Sequence, residues 1–215
     1  MGLESERGAV AEACRRLARE GLVRATAGNV SARADDRVVV TPTGAVLAEL
    51  GPEQATVVDM EGQVVEGELA PTSELFLHLG VYERFDAGAI VHTHSPVATA
   101  LGCVIDELPP VHYQMLAFGG TVRVAPYATF GTPQLAEGVH AALEGRSAAL
   151  MQNHGAVCFA ADCAAATELA LLLEWACEVY WRARAIGEPR VLGDAELQGV
   201  IEAVQERGYG QVRAR

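Results

Sequence analysis

Two histidines one residue apart, in Val91-His92-Thr93-His94-Ser95-Pro96, are the residues best spaced for chemistry. The apolar run Gly88-Ala89-Ile90-Val91 ahead of them predicts a buried strand. Side chains two apart on a strand share a face, so the His92 and His94 rings would converge on one point. Neutral imidazoles so arranged bind a zinc ion at about 2.0–2.1 Å each. Pro96 cannot continue a central strand, so the pair falls at the strand's end, where pockets form. A pair of ordinary hydrogen-bonded strand histidines is the alternative, and a His-x-His motif alone does not separate the two.

Two further residues bear on the choice. Glu74 closes Ala70-Pro71-Thr72-Ser73-Glu74, which opens a helix predicted over 73–84 with Leu75, Phe76, Leu79 and Tyr82 as its apolar side. Thr72 or Ser73 is the predicted N-cap. Glu74 is then either a first-turn carboxylate favoured by the helix dipole, or a metal ligand or catalytic base. His78, one turn later, can share its face but reads as a surface or core histidine. His154 sits in Gln152-Asn153-His154-Gly155, a tight corner between predicted strands at 148–151 and 156–160. It is either a turn residue or one projected into a site. Three imidazoles and one carboxylate form a donor set that zinc accepts. If substrate displaces Glu74, the site gains an open position beside a free carboxylate, the equipment for metal-assisted proton transfer next to a carbonyl.

Polar turns supply a second ingredient. In Ala27-Gly28-Asn29-Val30-Ser31, Gly28 and Asn29 tolerate left-handed backbone, which lets successive N–H groups converge on an anion. An ordinary hairpin turn is the plainer alternative. Thr41-Pro42-Thr43-Gly44 is a second polar turn with hydroxyls.

The bulk composition excludes several function classes. The 215 residues suffice for one sizeable core and are most simply one domain. A net charge of −12 argues against nucleic acid and anionic membranes as partners, but not against a phosphate held by local N–H groups. The first 20 residues are charged throughout and lack a signal peptide's apolar core, and five cysteines form no Cys-x-x-Cys pair; a cytoplasmic protein with reduced thiols is expected. All 16 basic residues are arginine. Without a lysine, the chain can build neither a Schiff base nor a P-loop, so carbonyl chemistry would need a metal as its electron sink.

The remaining segments position these groups. A helix is predicted over 4–21, a strand over 37–41, and a hairpin from 55–60 and 63–65 around Glu61-Gly62. A short helix follows at 95–103, then an extended proline-rich piece at 108–113, a strand at 121–124 and a turn at 127–131. Thr132-Pro133 starts a helix to about 143, on which His140 reads as solvated. Asp162 caps a long helix to about 186, and a last helix covers 194–207. Strands alternating with helices in mixed order predict a single α/β domain, one sheet covered by helices.

In order and spacing, Gly28-Asn29-Val30-Ser31, Thr43-Gly44, Pro71-Thr72-Ser73-Glu74, His92-Thr93-His94, His112-Tyr113, Tyr127-Ala128-Thr129-Phe130-Gly131 and Asn153-His154-Gly155 resemble the class II aldolase/adducin family. The resemblance spans about residues 8 to 190 and is greatest to the branch acting on L-fuculose 1-phosphate. It implies an α/β/α fold with a central mixed, largely antiparallel sheet, and a homotetramer with sites between subunits. It also implies zinc on His92, His94 and His154, with Glu74 alternating between ligand and base. Gly28, Asn29, Thr43, Gly44, Thr72 and Ser73 would hold a substrate phosphate. Tyr113 from a neighbouring subunit would assist proton transfer, while Phe130 and Tyr209 would line an aldehyde pocket. Thr72 stands where the family often has serine and keeps the hydroxyl. The tail at about 208–215 is expected to be mobile.

The implied reaction is reversible cleavage of a ketose 1-phosphate to dihydroxyacetone phosphate and a small aldehyde such as L-lactaldehyde. A pentulose-phosphate 4-epimerase branch carries aspartate in place of Glu74 and an acid within 111–120, and this chain has neither. A dehydratase of a methylthio-pentulose phosphate shares the metal site. Adducin heads use the fold as interaction modules, a role that loss of the metal histidines would signal.

Overall fold

Helix α1 (Glu4–Arg19) forms because Val10, Ala13, Cys14 and Leu17 fall on one stripe, which it buries. The chain then runs through β1 (Asn29–Ala34), β2 (Arg37–Val40), β3 (Thr56–Asp59), β4 (Val64–Glu66), α2 (Leu75–Arg84), β5 (Ala89–Thr93) and α3 (Pro96–Gly102). It continues with β6 (Glu107–Leu108), a 3₁₀ turn (Tyr113–Phe118), β7 (Val122–Ala125), α4 (Pro133–Leu143), β8 (Ala148–Met151), β9 (Gly155–Ala160), α5 (Cys163–Ile186) and α6 (Asp194–Arg207). The computed structural model describes residues 3–207.

The strands form one sheet in the order β4-β3-β2-β1-β5-β9-β8-β7-β6. Every neighbouring pair is antiparallel except β7 with β8, so the sheet is mixed and largely antiparallel. Side chains alternate between two apolar layers. Val39, Ala89, Val91 and Leu150 pack with α1, α3 and α5; Val38, Val40, Ile90 and Met151 pack with α2 and α4. The result is an α/β/α sandwich with a core on each side of the sheet. Ile90 and Val91 are both wholly buried, on opposite faces. Each contributes roughly 1.5–3 kcal/mol from burial, so the strand bearing the histidine pair is anchored from both sides.

Helix starts follow local chemistry. Asp162 accepts from the Ala165 N–H at 2.8 Å, and Thr132 accepts from the Leu135 N–H ahead of Pro133. At α2 the expectation of a Thr72 or Ser73 cap fails. The helix begins at Leu75, Glu74 occupies the N-cap position, and its carboxylate is turned elsewhere. Asn29-Val30-Ser31, expected as a turn, is the start of β1, which continues to Ala34. The polar residues are tolerated there because Asn29 and Ser31 find hydrogen-bond partners on α2 and in the site. His140 is not solvated but buried, with Nε2 3.0 Å from the Leu77 carbonyl, which ties α4 to α2.

Candidate active site

Register brings the site together. Antiparallel pairing sets Asn29 opposite His92, and His92 opposite Val157, so the Asn29 amide and the His92 ring stand side by side on the face covered by α2. His94 follows two residues on. The turn between β8 and β9 delivers His154 to the same point, with Asn153 in left-handed backbone (φ 54°) to make the corner. Gly155 is required beneath the rings: a Cβ there would lie 2.2 Å from the Thr93 carbonyl oxygen and 3.2–3.3 Å from carbons of His94 and His92.

The three rings form a near-regular triad. Their centroids are 4.9 Å apart pairwise, with planes crossing at 69° to 84°, and one ligand atom from each lies within 4.8 Å of the others. His92 Nδ1 lies 2.9 Å from the Ala156 carbonyl and donates to it, which turns Nε2 inward. His92 Nε2 and His94 Nε2 are 3.0 Å apart. Glu74 completes the set, with Oε2 3.1 Å from His92 Nε2 and Oε1 3.5 Å from His154 Nε2. Glu74 is buried, and its Oε1 has no hydrogen-bond partner among the described residues. An orphaned carboxylate oxygen beside three converging imidazoles is a donor set that a divalent cation fits.

Electrostatics agrees. Burial alone pushes the Glu74 carboxyl up, but His92, the Asn29 amide and His154 together hold it well below the usual carboxylate range. Burial, reinforced by the neighbouring imidazoles, pushes both His94 and His154 down to about 4. These two rings are therefore neutral at physiological pH, the form that ligates metal.

His94 and His154 line a cavity of about 340 Å³ together with residues of the stretches 26–29, 42–44, 72–74 and 127–130, and His92 lies buried beside them. Gly28, Asn29, Thr43, Gly44, Thr72, Ser73, Glu74, His94, Phe130 and His154 all contribute to it. Two of the turns are zipped together, Thr43 N–H to the Ala70 carbonyl and Thr72 N–H to the Thr41 carbonyl, each 3.0 Å. Gly28 passes so close over β5 that a Cβ would sit 2.8 Å from the His92 carbonyl oxygen, in backbone (φ 93°) that also favours glycine. Among the described residues, the N–H groups of Gly28, Gly44 and Ser73 have no protein acceptor, and no arginine lines the cavity. These unpartnered N–H groups are placed to meet an anion.

Not every expected residue comes to this place. Tyr113 opens the 3₁₀ turn with its ring 4.5 Å from that of His112 and lines a groove against α6, away from its own chain's cavity. Tyr209 lies outside the described residues. The Asn29 side chain donates to Glu74 Oε2 at 2.8 Å rather than into the phosphate turns. His78, which from sequence reads as a surface or core histidine, is a core one: it is wholly buried and reaches Asn29 from α2. Its one available signal was its spacing, one helical turn after Glu74.

Residues 8–181 match the model of the class II aldolase and adducin N-terminal domain, and the protein belongs to that family. A 5-methylthioribulose-1-phosphate/5-deoxyribulose-1-phosphate aldolase of Rhodospirillum rubrum is 39% identical over 199 residues, covering 92% of this chain and 90% of that protein. The L-fuculose phosphate aldolase of Escherichia coli is 38% identical over 202 residues, covering 93% and 94%. A solved L-fuculose 1-phosphate aldolase superimposes with a TM-score of 0.91 at 35% identity, covering 95% of this chain and 98% of that one. The protein is thus an enzyme of the class II aldolase type, a lyase, with a cluster of three histidines that could hold the metal such enzymes depend on.

Proposed function

We propose that the protein reversibly cleaves a ketose 1-phosphate to dihydroxyacetone phosphate and a small, methyl-ended aldehyde. The related proteins' names favour three such substrates: L-fuculose 1-phosphate, which would yield L-lactaldehyde, 5-deoxyribulose 1-phosphate, which would yield acetaldehyde, and 5-methylthioribulose 1-phosphate, which would yield a methylthio-acetaldehyde. The observation that carries the reading is a cluster of three imidazoles and a buried carboxylate at a cavity whose turns carry unpartnered N–H groups.

Gly28, Thr43, Gly44, Thr72 and Ser73 hold the phosphate through backbone N–H groups and hydroxyls, while the Asn29 side chain beside them is committed to Glu74. A divalent ion on His92, His94 and His154, zinc by its ligand types, would act as a Lewis acid on the ketose carbonyl and offset the charge left by bond cleavage. As the C3–C4 bond breaks, the C4 hydroxyl gives its proton to the ionised Glu74 carboxylate and becomes the aldehyde carbonyl. Glu74 delivers a proton to C3, and in the synthetic direction removes it. Tyr113 of a neighbouring subunit in a homotetramer assists at the C4 oxygen, consistent with its distance from its own cavity. Phe130, two-thirds exposed at the cavity mouth, and Tyr209 cover the aldehyde. The setting we propose is the cytoplasm.

The test is retro-aldol cleavage of a panel of ketose 1-phosphates, coupled to detection of dihydroxyacetone phosphate, with and without a chelator. Chelator-sensitive release is expected, greatest for substrates ending in a methyl group. No release from zinc-replete protein across the panel would overturn the assignment.

A further inference from the structure

Behind Glu74 lies a buried row of polar side chains that the chemistry above does not use. Asn29 Nδ2 donates to Glu74 Oε2 at 2.8 Å, and Asn29 Oδ1 lies 2.5 Å from His78 Nε2. His78 Nδ1 lies 2.7 Å from Ser31 Oγ, and Ser31 Oγ lies 2.7 Å from the Tyr82 hydroxyl. All five residues are buried, and Ser31 and His78 are wholly so. Helix and strand periodicity assemble the row. Asn29 and Ser31 are two apart on β1, while Glu74, His78 and Tyr82 are successive i, i+4 positions along α2.

The chemistry of the row fixes its sense. An ionised carboxylate has only acceptor sites, so Asn29 must present its NH₂ to Glu74 and its carbonyl to His78. His78 must then carry its proton on Nε2, which leaves Nδ1 to accept from the Ser31 hydroxyl. Ser31 in turn accepts from Tyr82. Every donor points toward Glu74, and an amide flip at Asn29 would set the NH₂ against the His78 N–H donor and its oxygen against the carboxylate. Buried rows of this kind are held in one arrangement because any unpaired member is costly.

We propose that His78 is a positioning residue of the active site: its Nε2–H locks the Asn29 amide so that Glu74 Oε2 is held and Oε1 alone is left to exchange the proton. Oε1 is the oxygen with no hydrogen-bond partner among the described residues, 3.5 Å from His154 Nε2. The inference deepens the proposed function and rests on Glu74 being the proton-transfer group. His78 touches neither substrate nor metal in this account and acts only through Asn29.

Two measurements test it. Long-range ¹H–¹⁵N spectra of the metal-loaded enzyme should show His78 as a neutral ring protonated at Nε2; a ring protonated at Nδ1 would overturn the assigned sense. Kinetics on His78→Leu and His78→Gln give the second. Removing the donor in His78→Leu should lower kcat by about 10–100-fold, the range for partners of metal-site carboxylates, with KM and bound metal unchanged. His78→Gln, which returns an N–H donor, should recover most of the loss. Wild-type kcat in His78→Leu, or equal impairment of both variants, would overturn the proposal. Should His78→Leu fail to fold, Tyr82→Phe removes only the terminal donor and should lower kcat more modestly at constant KM; unchanged kcat would count against the row. Failure of the proposed function would look different. Unmodified enzyme would release no dihydroxyacetone phosphate, while the His78 tautomer would still report the sense of the row.

Discussion

The two ends of the cavity are built by different means. At the floor, Glu74, His92 and Asn29 are buried, and each is fixed by a strand register, a helix start or a hydrogen bond to another buried group. At the mouth, Tyr127 and Phe130 are 62% and 66% exposed on a turn that Gln152 tethers through one bond to the Tyr127 N–H. A proton donor misplaced by an ångström loses rate steeply, whereas an apolar wall tolerates small shifts. On the function we propose, the buried floor specifies the bond-breaking step, while the choice of aldehyde is left to an exposed turn. Insertions and substitutions at such a turn cost the fold little.

The largest effect should come from breaking the floor's cluster of three histidines, the proposed metal ligands. His92→Ala removes the ring that is both wholly buried and centred between Glu74 and His94, and we expect loss of bound metal and of turnover together, by elemental analysis and assay on one preparation. Metal retained with full turnover would remove the triad from the account. Glu74→Gln comes next. It keeps the size of the side chain and should keep the metal on the three histidines while lowering kcat by about 10²–10⁴-fold, the contribution of a positioned acid–base group. If kcat is untouched, the proton moves through another residue.

Changes at the mouth should be smaller and of another kind. Phe130→Ala is expected to leave metal content alone and to shift the relative rates on two ketose 1-phosphates by about tenfold, what a lost apolar contact can discriminate. A uniform collapse of kcat across substrates, as large as that of Glu74→Gln, would erase the distinction between floor and mouth.

The smallest effect is on stability against pH. His94 and His154 are held down to about 4, and His78 to about 3, in each case first by burial. Between the ordinary imidazole range near 6.5 and these values the unfolded chain binds more protons than the folded one. The stability these groups confer is therefore fully present above about 6.5 and is lost as pH falls toward 4. His92 is raised by Glu74 against its burial and acts in the opposite sense, above that window. Melting of metal-free protein should fall on acidification from 6.5 to 4; a flat or rising profile would contradict neutral rings in the floor.

What the sequence discloses divides along the same line. The triad is legible because His92 and His94 end an apolar run whose period fixes their common face, and because His154 sits at a corner between two apolar strands. The long helices are legible from caps such as Asp162 and Thr132. Strand β1 is not, since Asn29 and Ser31 are polar and are buried only because His78 and Tyr82 arrive from α2 to satisfy them. His78 and His140 share that difficulty: a lone helical histidine carries no sign of the carbonyl or amide that will meet it across the fold. The α2 start shifted for a related reason, as the Glu74 side chain is held by Asn29 and His92 rather than by its own helix.

The central claim is that one metal ion, on His92, His94 and His154, serves the proton chemistry of Glu74. The most direct test is to strip the enzyme and add zinc back in measured steps while following dihydroxyacetone phosphate release. Activity should rise linearly and stop at one ion per chain, with no rise in a His94→Ala variant. Full activity in the stripped enzyme, or a rise in that variant matching the unmodified protein, would contradict the account.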